Sequence, residues 1–365
     1  MFSSLIARIG VVLAAVLVTA VIQAQAPSPS ANTALLQRSL HESVLIEGHQ
    51  PFHLVLEIAP DTTPHAHARP APSSMHGKVE LFWANRSHYR LVVNSPEFSQ
   101  TRVVDGDQVE EHDNGDFYPR WLDDFVRMLL APVPTGQVPK LIQQRLTGGG
   151  TFALPGRPPI TMPRCLETSD RPDGITEETS IARVCFEATH PWYQGTLDFT
   201  RYVSFSDYAP FGGQMIPRTW SDDIPENIFV EGKVTLLEKL AAGDLKTIRI
   251  SNATPPTEQI RTVFFSRKDI GDHIANVPSY EWPSKDGAPE GYMIVYVRTD
   301  RTGQIRESYW SSSDNYGLQD AGVALALKSS LKPMLVDGVG VQVEGPLVLH
   351  FKMHSVSSPS AGLTQ

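Results

Sequence analysis

Between Pro51 and His112 the chain repeats one short pattern: Pro51–Ile58, Lys78–Ala84, His88–Val93, Ser99–Val104 and Gln108–His112 alternate apolar and polar side chains or are β-branched. The last four are joined by turn sequences, Asn85-Arg86-Ser87, Asn94-Ser95-Pro96-Glu97 and Asp105-Gly106-Asp107. Such short links leave no room for the crossover that parallel strands require, so these strands must be antiparallel neighbours in a meander. Strand patterns resume at Ala182–Thr189, Gly195–Tyr208, Gly212–Trp220 and Gly232–Leu240. The helical exceptions are few. Leu35–Val44 reads as a short helix, and Pro119–Pro132 places Trp121, Phe125, Met128 and Leu129 at helical spacing. Val133–Pro163 is rich in Pro and Gly and reads as loop, with a short helix near Leu141. The simplest assembly is a large, curved antiparallel sheet with a helix against it, an α+β fold.

A chain of 365 residues exceeds one typical core and fits two domains. Lys and Arg number 31 against 40 Asp and Glu, and they are scattered, so the basic stripe that neutralises phosphates is missing and nucleic acid is excluded as a partner. At the amino end Arg8 precedes an uncharged run, Ile9–Ile22, followed by the small residues Ala24 and Ala26. This reads as a signal peptide over 1–24 with a Pro/Ser tether over 25–34, which places the protein in the periplasm. The alternative is an uncleaved inner-membrane anchor facing the periplasm, although the run falls short of the ~20 residues a spanning helix needs. Cys165 and Cys185 are the two cysteines, and in an oxidising compartment they read as a disulfide, with two free buried thiols as the alternative.

No arrangement of residues points to catalysis, a cofactor or a metal. His65 and His67 form an H-x-H pair, with His76, His53 and His49 near it in sequence, but the segment is Pro-rich and spacing fixes no third ligand, so a solvated loop is favoured. Neither Asp123-Asp124 nor Asp222-Asp223 can act as an acid/base pair, because sequence neighbours diverge on a helix and oppose one another on a strand. Gly148–Gly150 lacks the Lys-Ser/Thr of a phosphate loop and reads as a turn. Asn85-Arg86-Ser87 and Asn252-Ala253-Thr254 fit the glycosylation triplet, a pattern common by chance.

From Leu35 to Ile250 the strand and helix pattern resembles the periplasmic lipoprotein carriers of LolA/LolB type. Their half-open barrel holds acyl chains beneath a helical lid. The resemblance implies a lipid or acyl-chain partner, with Phe82, Leu91, Phe199 and Phe205 lining the concave face.

Ser251–Ile260 is a Pro-rich linker, since Pro255-Pro256 can neither extend a helix nor fill a central strand. Beyond it Tyr292–Thr299 and Ile305–Trp310 form a hairpin around Gly303. Ser313–Pro333 reads as a helix with Asp314 or Asn315 as N-cap and Val323, Leu327 and Leu331 on one stripe, and Val341–Met353 is a last strand before a disordered tail, 354–365. This order, within a unit over 261–353, resembles the C-terminal domain of the TonB family over about 277–353. The resemblance implies capture of an outer-membrane receptor, or another envelope protein, by strand addition along Val341, Val343, Leu347, Leu349 and Phe351. The aromatic residues that the family carries before the post-helix proline are replaced by Ser329–Lys332, and a long Pro-rich spacer is missing, so partner binding is implied more than energy transduction. The resulting expectation is an exported, non-enzymatic docking protein. Its alternative is a lipid or lipoprotein carrier acting through the first domain.

Overall fold

The computed structural model describes residues 29–352, apart from 63–70, 73, 134–137, 153–159, 171–178, 199–200, 225–227, 251–258, 279–289 and 314–315. The signal segment 1–24 and the tail 354–365 therefore lie outside the described residues. Helix α1 (Pro29–Ser43) begins inside the segment read as tether, with Pro29 in the first helical position, where its missing N–H costs nothing. The meander follows as read: β1 (Phe52–Pro60), β2 (Gly77–Asn85), β3 (His88–Asn94), β4 (Ser99–Asp105) and β5 (Gln108–Asn114).

After α2 (Arg120–Leu130) and α3 (Val138–Leu141) come the two-residue β6 (Thr147–Gly148) and a small hairpin, β7 (Thr151–Phe152) with β8 (Ile160–Thr161). Then follow β9 (Arg164–Asp170), β10 (Thr179–Phe186), β11 (Tyr193–Asp198), β12 (Arg201–Phe211), β13 (Gln214–Ile224) and β14 (Ile228–Lys239). With the first five strands they make one antiparallel sheet in the order β5-β4-β3-β2-β1-β14-β13-β12-β11-β10-β9-β6. A twisted sheet of this width curls, and one face of it becomes the core. Phe52, Leu54, Leu56 and Ile58 of β1 face that core, as do Val79, Leu81 and Trp83 of β2 and Leu91 and Val93 of β3.

Helix α2 packs into the curve. Its Trp121, Leu122, Phe125, Val126, Met128 and Leu129 are all buried. Phe125 stacks near Trp220 of β13 at 6.3 Å and lies over Gly232 of β14, where a Cβ would come within 2.8 Å of its ring. A side chain at 232 would push the helix off the sheet.

Cys165 and Cys185 face one another across β9 and β10 and form the disulfide. A link of 20 residues' separation is worth about 3 kcal/mol in the chain-entropy account. Cys165→Ser with Cys185→Ser is therefore expected to lower stability by about that amount, read as a shift of the urea midpoint that reducing agent reproduces in the parent chain.

The C-terminal unit comprises β15 (Thr262–Phe264), α4 (Arg267–Asp272), β16 (Ile274–Asn276), β17 (Glu290–Thr299), β18 (Ile305–Ser313), α5 (Gln319–Leu327), β19 (Ser330–Leu331), β20 (Met334–Val336) and β21 (Val339–Lys352). The order hairpin, helix, strand is the one read from the sequence. The helix is shorter than Ser313–Pro333, because Ser330–Leu331 leaves it to pair with β16.

The docking edge expected along Val341–Phe351 is already taken up in its first part. The sheet runs β15-β21-β17-β18: β15 pairs in parallel with Gln342–Glu344, and β17 pairs with the other flank of β21 from Glu344 to Lys352, so β21 has a strand on both sides only near Glu344. Val341, Val343, Leu347, Leu349 and Phe351 are at most 5% exposed. All but Val341 belong to a core shared with Met293, Val295, Val297 and Leu325. The Val343 N–H is also spent internally, donating to Thr299 Oγ1 at 3.0 Å. The strand that pairs there is β15, Thr262-Val263-Phe264, just past the apparent linker.

Candidate functional site

Three elements enclose an apolar pocket beside the concave face. α2 stops at Ala131, whose non-helical backbone (φ −151°, ψ 68°) and following Pro132 break the helix. α1 forms the roof and is clamped at both ends. Near its start Asn32 Nδ2 donates to the carbonyls of Ile142 (2.9 Å) and Gln144 (2.8 Å). Near its end Ser43 Oγ accepts from the Tyr193 N–H at 2.7 Å, and Gln214 Nε2 donates to the carbonyls of His41 (2.7 Å) and Val44 (2.9 Å). The floor is fixed by Tyr193, whose hydroxyl donates to the Pro132 carbonyl at 2.5 Å. Burial pushes that phenol's pKa upward, so it remains a donor across the whole physiological range.

Within this frame Leu36, Leu40, Ile46, Leu130, Val133, Val138 and Ile142 wall a space of about 250 Å³. Pro132 also lines a narrow crevice of about 20 Å³ that reaches Leu54, Phe205 and Trp220 on the sheet. The apolar surface thus extends from the pocket to the concave face. At the rim Arg86, in the turn between β2 and β3, is ion-paired with Glu47. Neutral small-molecule pockets start at roughly 300 Å³, so this one has room for one slender apolar group.

The other side of α2 is charged and faces the C-terminal sheet. Arg298 of β17 is fully buried, with Nη2 donating to Asp123 Oδ2 at 2.7 Å and to Thr262 Oγ1 at 3.1 Å, and Nε lying 3.4 Å from Glu344 Oε2. Arg120 places its guanidinium 3.8 Å from the centre of the Tyr296 ring, and its backbone N–H donates to the Glu307 carboxylate at 3.0 and 3.1 Å. Gln342 accepts from the Tyr118 N–H at 2.6 Å. Burial works against the Glu344 carboxylate, yet the charges of Arg298 and Arg120 outweigh it and hold the carboxyl below its ordinary value. These contacts join the two units. Every acid near α2 that is described has a cationic or hydrogen-bonding partner.

Of the four residues expected to line one cavity, the three that are described do not meet in one. Leu91 and Phe205 do face the core, but β3 and β12 are separated by β2, β1, β14 and β13, so only Phe205 reaches the crevice. Phe82 lies on the convex face: Leu81 and Trp83 point inward, so the residue between them points out, where it stacks on His53 at 4.1 Å with Arg90 at 5.9 Å. Phe199 lies outside the described residues, as do His65, His67 and Asn252.

His53 bonds Glu80 at 2.9 Å, and His49 sits 6.0 Å from His41. Among the described residues no three His, Cys, Asp or Glu side chains gather as metal ligands. Asp222 is buried and Asp223 exposed, opposite faces of one strand as their adjacency requires. Gly148 and Gly149 turn at φ 87° and 78°. Sequence reasoning missed the pocket and the charged contact. A trace of the latter was present in Arg298, one cation inside an otherwise apolar strand, which needs a buried partner.

Among the described residues no helix is long and apolar enough to cross a membrane. No protein-family model and no curated protein matches the chain. Among solved structures it is similar to a LolA superfamily protein from Nitrosomonas europaea, at 9% identity and a TM-score of 0.32, over 57% of this chain and 93% of that one. It is also similar to a DUF1329 family protein from Desulfovibrio piger, at 10% identity and a TM-score of 0.31, over 60% of this chain and 100% of that one. At scores of this size the likenesses bear on neither function nor site residues.

Proposed function

We propose that this chain is an exported, non-catalytic lipid-binding protein of the carrier kind, holding one acyl chain in the pocket between α1 and the α2–α3 connection. The observation that carries this reading is the apolar space of about 250 Å³ beside a concave apolar sheet. Burying a chain there yields roughly 0.8 kcal/mol for each methylene removed from water. The ionisable groups among its walls, Arg86 and Glu47, are already paired with each other, which supports binding over catalysis. The disulfide and the signal-like amino end support delivery to the periplasm. Capture of an outer-membrane receptor along β21 does not belong to this reading, because β15 already pairs with Gln342–Glu344 and the five side chains expected to take part are buried.

Native mass spectrometry of the exported protein is expected to show a co-purifying lipid. Leu40→Trp, which fills the pocket from the roof, should weaken a fluorescent acyl probe by about tenfold, or 1.4 kcal/mol, with an unchanged melting temperature. A chain that carries no lipid and binds the probe equally well with Trp at 40 would overturn the proposal.

A further inference from the structure

We infer that the acyl chain's owner is a single-chain amphiphile whose head carries both signs, a phosphate-type anion seated on Arg86 and an ammonium seated on Glu47. This rests on the acyl-binding reading above and adds to it the chemistry of the head. The pocket's volume, below the roughly 300 Å³ where ordinary ligand sites begin, admits one slender chain and excludes the paired chains of a diacyl lipid. Its walls then supply a polarity that is sharply placed. Of the residues lining it, one is a cation and one an anion, and both stand at the rim against each other.

The two side chains remain wet, at 63% exposure for Arg86 and 33% for Glu47, so a head would sit half in solvent while its tail fills the space below. Their bases are held in place. The Asn85 side-chain oxygen accepts from the Ser87 N–H at 2.9 Å and braces the turn that presents Arg86, and Glu47 is the last residue of the short turn Leu45–Glu47 after the clamped end of α1.

Charge matching then selects the head. An anion alone would take Arg86 and leave Glu47 facing it with the same sign. A cation alone would do the reverse. A neutral head gains nothing from the pair. A head with both signs exchanges one side-chain pair for two charged contacts and leaves neither residue unmatched. At this exposure each contact is worth little individually, so the selectivity expected is modest.

The test uses the full mature chain and three probes with the same acyl chain, each below its micelle-forming concentration: lysophosphatidylethanolamine, lysophosphatidic acid and monoacylglycerol. Displacement of a fluorescent acyl probe should rank lysophosphatidylethanolamine about fivefold tighter than monoacylglycerol, and tighter than lysophosphatidic acid. Arg86→Gln and Glu47→Gln, each first shown to melt like the parent, should each shrink that advantage to within about twofold. Equal binding of the ethanolamine and glycerol probes, a preference for lysophosphatidic acid, or an advantage untouched by both variants would overturn the two-signed head while leaving acyl binding standing. Failure of all three probes to bind would overturn the acyl-binding reading itself.

Discussion

Arg298→Met is expected to destabilise the protein by about 3–5 kcal/mol, the range found when one partner of a buried ion pair is removed. The large cost comes from what remains. Asp123 and Glu344 would keep their charges beside an apolar side chain with no cation at 2.7 and 3.4 Å. Equilibrium urea unfolding measures it, and a loss below about 1 kcal/mol would mean that the acids are satisfied elsewhere.

Acid gives a second reading of the same contact. The Glu344 carboxyl is held below its ordinary value of 4.5, so its contribution is present above that value and is lost as pH falls through the lower folded one. Glu111 has the opposite sign: burial and then Asp113 raise its pKa, so its contribution is present in acid and fades as pH rises. Comparing Glu344→Gln with the parent isolates the first effect. The variant should show a flatter stability profile below about pH 4.5.

Phe125→Ala should cost a similar 3–5 kcal/mol, because the ring is fully buried and leaves a cavity between helix and sheet. Its companion is Gly232. A Cβ there would stand 2.8 Å from the Phe125 ring and 3.2 Å from Leu56 Cδ1, so Gly232→Val in the parent forces α2 outward at about 1–3 kcal/mol. In the Phe125→Ala background the same valine enters vacated space and should recover stability. A double-mutant cycle is expected to give a coupling of at least about 1 kcal/mol. Strict additivity would mean that the ring does not rest on that glycine.

Much of the sheet could be read along the chain because its signals are local. Period-two alternation and turn residues such as Asp105-Gly106 place β2 to β5 with small errors at the ends. The same periodicity, applied to Leu81, Phe82 and Trp83, would have put Phe82 outside, had the two flanking residues been taken as the inward pair. What α2 covers was beyond that kind of reading, since an apolar stripe shows that a helix is buried but not on what. The pocket is assembled from Leu40, Pro132 and Ile142, which lie on separate elements and share no spacing. β15 was concealed for another reason: three residues beside a Pro-rich stretch carry too little pattern to register as a strand, yet they pair with β21 at Gln342–Glu344.

The sheet's seam has a temporal meaning. Near its middle, β1 lies between β2, its immediate successor, and β14, the last strand of the domain, which it meets from Phe52↔Lys239 to Pro60↔Val230. One side of β1 can be satisfied early by local pairing. The other must wait until nearly all of the domain has been delivered, because loop-closing contacts between distant segments are slow to form. A chain synthesised amino end first therefore passes through a stage in which an apolar strand, Phe52 to Ile58, has an open flank available to any extended neighbour.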